Sequence, residues 1–199
     1  MAGDTRERIL AAAKRRLLEE GYAALSTRKV AADAGVPLSQ IHYHFGSKEQ
    51  LIVSLLREEN ERLLDRQSEM FGRDLPLWER WVLACDYFDD DLASGYVRVA
   101  QELTAAGWSS ERLRTEMREI WGGWSELLLG VVRDATIDLG LEPEELVALV
   151  SAVFVGAEAL ILLGMEDERT PFRRALRRVG DLIRVAEERG ERAGSLSGS

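Results

Sequence analysis

The sequence predicts an all-α protein. Ala, Leu, Glu and Arg, which all favour helices, dominate the composition, and only four prolines occur in 199 residues. Apolar residues recur at helical spacing, and glycines, prolines and serines separate the helical stretches. Apolar residues make up 46% of the chain and charged residues 31%, which is the balance of a globular protein.

The first 50 residues predict three short helices and the start of a fourth. The first follows Asp4, which forms a capping-box pattern with Glu7, and it ends at Gly21. The second covers 27–34 and the third 38–45, each followed by a glycine. The pair with its tight turn reads as a helix-turn-helix. Ser47 then caps a fourth helix over 48–67. Longer helices are expected at roughly 75–92, 95–106, 110–138, 143–163 and 170–188.

Charge and cysteine content narrow the function classes. The net charge of −9 argues against nonspecific nucleic-acid binding by the whole surface, but residues 1–50 carry eight Lys/Arg against six Asp/Glu. The single cysteine, Cys85, excludes an internal disulfide and a multi-cysteine zinc site, and it favours a cytoplasmic location.

No signal segment is expected at the N-terminus. The apolar run Leu146–Leu163 is better explained by helix packing than by a membrane span.

The third short helix is the candidate functional element. On a helical wheel Ile41 and Phe45 point together and anchor the helix, whereas Ser39, Gln40 and Tyr43 point away from them. His42 and His44 fall on the two flanks, so they cannot share a metal ion, and no metal or catalytic site is expected. The polar side suits a DNA groove. The predicted DNA contacts are Thr27, Arg28, Leu38, Ser39, Gln40, His42, Tyr43, His44 and Lys48.

The segment STRKVAADAGVPLSQIHYHFGSKEQL, residues 26–51, resembles the DNA-binding signature of the TetR (tetracycline repressor-like) family. Pro37, Ser39 and His42 depart from the residues common in that signature. The resemblance implies a homodimer that binds a palindromic operator, with half-sites about one helical turn apart. It also implies that the C-terminal helices form the dimer interface and a chamber for a small-molecule effector.

The larger domain offers candidates for both roles. Aromatic stripes predict either a ligand chamber or solid core, lined by Trp81, Cys85, Phe88, Gln101, Trp121, Trp124 and Leu128, with Arg98 and Glu102 as further polar candidates. Two apolar helices predict a four-helix dimer bundle or an internal core, with contacts from Ala152, Gly156, Ala159, Leu176, Val179 and Ile183.

These patterns predict a DNA-binding domain over 1–47, an effector-binding and dimerisation domain over 48–189, and a disordered tail over 190–199. The predicted function is a cytoplasmic, dimeric transcriptional repressor without a cofactor, released from its operator by a lipophilic or aromatic molecule. A regulator that is effector-independent or protein-controlled, or an activator, stays open, as does a small helical enzyme.

Overall fold

The computed structural model describes residues 2–135 and 140–197, and every regular element within those ranges is an α-helix. The predicted all-α class is therefore confirmed. In chain order the helices are α1 (Ala2–Ala24), α2 (Thr27–Ala34), α3 (Leu38–Phe45), α4 (Lys48–Phe71), α5 (Leu77–Ser94), α6 (Tyr96–Gly107), α7 (Glu111–Asp134), α8 (Pro143–Leu162) and α9 (Phe172–Ser197).

The chain packs into two compact units. The first comprises Met1–Leu63 and Ser94–Trp121, and the second comprises Leu64–Ala93 and Gly122–Ser199. The boundary predicted between residues 47 and 48 stays a prediction.

The core of the first unit holds the helix-turn-helix together. Helix α1 packs against α2, α3 and α6, and α2 packs against α3. The turn between α2 and α3 needs the left-handed backbone of Gly35, at φ 62°, a conformation that glycine adopts without steric cost. The fully buried side chains of this core include Ile9, Leu17, Val30, Ile41, Leu51, Ile52 and Leu103.

Helix α6 holds the C-terminal end of α1 by polar contacts. Arg98 donates from Nη2 to the carbonyl oxygens of Leu17 and Leu18, each at 2.6 Å. Glu102 accepts the backbone N–H of Tyr22 at 2.5 Å, next to the break in α1 at Gly21. Both side chains therefore bind backbone groups of this unit, and their role as polar anchors for a ligand stays a prediction.

The second unit contains an aromatic core. Cys85 and Phe88 of α5 are buried with Ala157 of α8 and Leu176 of α9. The ring of Phe154 meets Phe88 edge to face, with a centroid distance of 5.3 Å. Leu176 is only 4% exposed, so it is a core residue of this unit, and its contact with a partner chain stays a prediction. Helical spacing identified an apolar stripe on α9 but could not tell which packing partner covers it.

Apolar side chains of α8 and α9 reach the surface of the second unit. Four of the larger ones, which we call the α8–α9 apolar residues, are Leu149, Val153, Leu182 and Val185. Among the described helices, α8 alone is long and apolar enough to cross a membrane by length and composition. Of the smaller residues predicted for a dimer interface, Ala152 is exposed, and Gly156 and Ala159 are half-buried.

Three helix ends differ most from the prediction. Helix α4 continues to Phe71, four residues beyond 67, and stops before Gly72. Helix α7 ends at Asp134, and the last part of the predicted helix, 136–138, lies outside the described residues. Helix α9 continues to Ser197 where the sequence predicts a disordered tail from 190. A glycine such as Gly190 disfavours a helix by only about 1 kcal/mol relative to alanine, so it need not end one.

Candidate nucleic-acid interface

Helix α3 buries one side and exposes the other. Ile41 is fully buried and Phe45 is 5% exposed, whereas Tyr43 is 81% exposed. Ser39 and His42 are exposed as well. The predicted polar side of the helix is therefore exposed. His42, predicted to lie at the edge of that side, is exposed in the same way as Ser39 and Tyr43. The remaining candidates on this helix, namely Leu38, Gln40 and His44, are half-buried.

A buried anchor and an exposed polar side have opposite consequences for substitution. Ile41 and Phe45 fix where the helix lies, since their side chains fill the core of the first unit. Ser39, His42 and Tyr43 are exposed, so substituting them should cost little stability of the fold. The two imidazoles also differ, because the His44 ring lies 5.0 Å from the Tyr43 ring in an edge-on arrangement.

The turn between α2 and α3 is held by an arginine that the sequence pattern did not reveal. Arg8 of α1 donates from Nη2 to Ala34 O at 2.5 Å and to Gly35 O at 3.2 Å. The positive guanidinium lies at the C-terminal end of α2, where the helix dipole favours a cation. No local signal could identify this contact, because 26 residues separate Arg8 from Ala34.

Ion pairs join α1 to α2. Arg16 binds Asp33 at 2.5 Å, and this hydrogen bond lowers the pKa of the Asp33 carboxyl. Lys29 binds Glu20 at 3.0 Å and is the main cause of the lowered pKa of Glu20. The ammonium group of Lys29 is thus paired with a carboxylate of the same unit. Arg28, its neighbour in α2, is exposed and forms no ion pair with any residue that the structure describes.

Lys48 is engaged within the unit as well. Its Nζ lies 4.6 Å from the centroid of the Tyr22 ring and 3.4 Å from Ala23 O. Burial lowers the pKa of this lysine. As predicted, Lys48 begins α4, and the Ser47 hydroxyl accepts the N–H of Gln50 at 3.1 Å. A phosphate contact from Lys48 stays a prediction, and it would compete with the contacts to α1.

The residues predicted to line an effector chamber are divided between the two units. Gln101 and Trp121 belong to the first unit, and Trp121 donates its N–H to Thr104 Oγ1 at 3.2 Å. The other five belong to the second, namely Trp81, Cys85, Phe88, Trp124 and Leu128. Trp81 donates its N–H to Leu176 O at 2.7 Å. The chamber and its lining stay predictions.

No group of three or more His, Cys, Asp or Glu side chains that could hold a metal ion lies within residues 2–135 and 140–197. The two histidines of α3 occupy different surroundings, His42 exposed and His44 half-buried.

Fold and site together define a helix-turn-helix protein of the all-α class. The model of the family "Bacterial regulatory proteins, tetR family" matches residues 9–55, which span α1 to the first third of α4. This match supports the predicted resemblance to that family over the N-terminal quarter of the chain.

Among curated proteins, the transcriptional regulator LmrA of Bacillus subtilis is 38% identical over 60 residues, 30% of this chain and 32% of that protein. The chain thus matches about a third of that relative's length.

Two solved structures share the fold over most of the chain. A TetR transcription regulator of Haloarcula marismortui is 19% identical with a TM-score of 0.76, covering 94% of this chain and 98% of that one. FadR of Bacillus subtilis, solved in complex with stearoyl-CoA, is 20% identical with a TM-score of 0.72, covering 87% and 96%.

Proposed function

We propose that this protein is a cytoplasmic, dimeric transcriptional repressor that binds a palindromic DNA operator and leaves it when a lipophilic or aromatic effector binds. The observation that carries the proposal is the α3 helix. Its anchor, Ile41 and Phe45, is buried, and its exposed side offers the hydroxyl, imidazole and phenol groups of Ser39, His42 and Tyr43. Such groups bond base edges and phosphates in the major groove.

Dimerisation is supported by the α8–α9 apolar residues. Val153 is 54% exposed and Leu182 is 70% exposed in the single chain. Burying such side chains against a second copy removes apolar surface from water, which favours association. A two-fold dimer would present two α3 helices, and half-sites about 34–36 Å apart on one face of the duplex would match them.

An effector with a long apolar part is supported by two observations. Four of the five tryptophans lie in α5 and α7, and FadR, which shares the fold, was solved with stearoyl-CoA. We propose that effector binding changes the distance between the two α3 helices. A ligand releases DNA only if it binds the released state more tightly, and a hundredfold preference corresponds to about 2.7 kcal/mol. Acyl-CoA thioesters of different chain length are the first probes.

The test begins with selection of duplexes from a randomised DNA pool by the purified full-length chain. Fluorescence anisotropy then measures the dissociation constant of the selected duplex over a series of salt concentrations. Tyr43→Ala should weaken binding to all duplexes alike and reduce the salt slope, because a phosphate contact is lost. Gln40→Ala should instead alter the preferred sequence. Neither change should lower the melting temperature by more than a few degrees.

The outcomes separate the parts of the proposal. Failure to bind any duplex at low salt would contradict the proposed function as a whole. DNA binding that no acyl-CoA or aromatic ligand weakens would instead favour an effector-independent or protein-controlled regulator. Activation rather than repression of a reporter gene placed behind the selected operator would contradict the assignment as a repressor.

A further inference from the structure

His42 is oriented by a hydrogen bond at the end of its own helix. Its Nδ1 lies 3.2 Å from the carbonyl oxygen of Gly46. A carbonyl oxygen only accepts, so the ring nitrogen in this contact must be the donor. In the neutral imidazole a proton on Nδ1 leaves Nε2 with a free lone pair. The neutral side chain therefore offers a hydrogen-bond acceptor at the other edge of an exposed ring.

The position of His42 puts this acceptor among the exposed groups of α3. Ser39, His42 and Tyr43 are all exposed, and their spacing of three and four residues brings them onto one side of a helix. His44 differs, since it is half-buried and lies beside the rings of Tyr43 and Phe45. His42 can therefore present its free ring nitrogen to a partner, whereas the His44 ring packs against its neighbours.

We infer that His42 is a specificity-determining residue that accepts a hydrogen bond from an exocyclic amino group of a base, the 6-amino group of adenine or the 4-amino group of cytosine. This inference rests on the proposed DNA-binding function. In the major groove only these two groups donate, whereas guanine N7 and O6, thymine O4 and the phosphate oxygens accept. An acceptor at Nε2 can therefore accept a hydrogen bond from either amino group, but it cannot bond guanine N7 or O6, thymine O4 or a phosphate oxygen. Neutral His42 therefore reads a base rather than holding a phosphate.

The experiment uses the full-length chain, a duplex selected from a randomised pool, and base analogues that lack the amino group. Each adenine is replaced singly by purine, and each cytosine by 2-pyrimidinone. At one position of each half-site the wild-type chain should lose about three- to tenfold in affinity, the size of one hydrogen bond. His42→Ala should bind the modified and unmodified duplexes equally at that position.

Two further variants sharpen the test. His42→Lys, which can only donate, should shift the selected base at that position toward guanine, whose major-groove atoms are acceptors. His44→Ala removes the other imidazole and should keep the wild-type ratio between modified and unmodified duplexes, whatever its absolute affinity.

The inference is overturned if no amino-group deletion weakens wild-type binding, a result that stands even if the His42 variants fold poorly. It is also overturned if the same deletion weakens wild type and His42→Ala to the same extent. If the wild-type chain selects no duplex at all, the proposed function fails and this inference fails with it.

Discussion

The strongest test of the proposed assembly is Leu182→Ala in α9. Complete burial of a leucine side chain contributes about 1.5–3 kcal/mol. Leu182 is 70% exposed in the single chain, so burial in a dimer would recover about two-thirds of that value in each copy. A two-fold interface contains the residue twice, which brings the total to roughly 2–4 kcal/mol. Truncation to alanine should remove most of this free energy and raise the dimer dissociation constant by at least ~10-fold.

Sedimentation equilibrium over a concentration series measures this constant directly. The wild-type chain should sediment with twice the mass of one 22.3 kDa chain, and the variant should dissociate at higher concentration. Trp108→Ala is the matched control, because Trp108 is 78% exposed but belongs to the first unit, between α6 and α7. A monomeric wild-type chain, or a Leu182→Ala variant with the wild-type constant, would refute the reasoning.

Two further predictions concern the buried positions. Ile41→Ala should lower the free energy of unfolding by about 2–5 kcal/mol and Ile41→Val by about 0.5–1.5 kcal/mol, because Ile41 is fully buried; urea denaturation checks this, and equal values for the two variants would contradict it. Burial raises the pKa of the Cys85 thiol to about 11, so little reactive thiolate exists at pH 8. A thiol-specific reagent should therefore label native protein slowly and protein in guanidinium rapidly, and rapid native labelling would show that Cys85 is accessible.

Local chemistry made the helix-turn-helix predictable. Its helix limits, 27–34 and 38–45, agree with the structure. Gly35 has the left-handed backbone expected after a helix, and Ile41 and Phe45 are buried as their spacing indicates. Each of these features depends on residues fewer than about five positions apart, which is the range over which helix capping and periodicity act.

Contacts between distant segments were not predictable in the same way. The Arg8 contact to the α2–α3 turn and the Arg98 and Glu102 contacts to the end of α1 join residues far apart in the chain. An arginine or glutamate on a helix surface looks the same in sequence whether it binds a backbone carbonyl, a ligand or water. Only the packing of the helices selects among these partners.

Helix α9 illustrates the limit most clearly. Its sequence predicts an amphipathic helix, and that much follows from residue spacing. The spacing did not show that the Leu176 side chain is buried beside Cys85 and Phe88 within the second unit.

The sequence by itself determined the helical class, the limits of α2 and α3, and the pair of residues that anchor α3. Only the tertiary structure decided which apolar side chains are buried within the chain and which, like Leu182, remain exposed. The physical reason is that periodicity reports that a helix has an apolar side, whereas burial depends on which other helix lies against it.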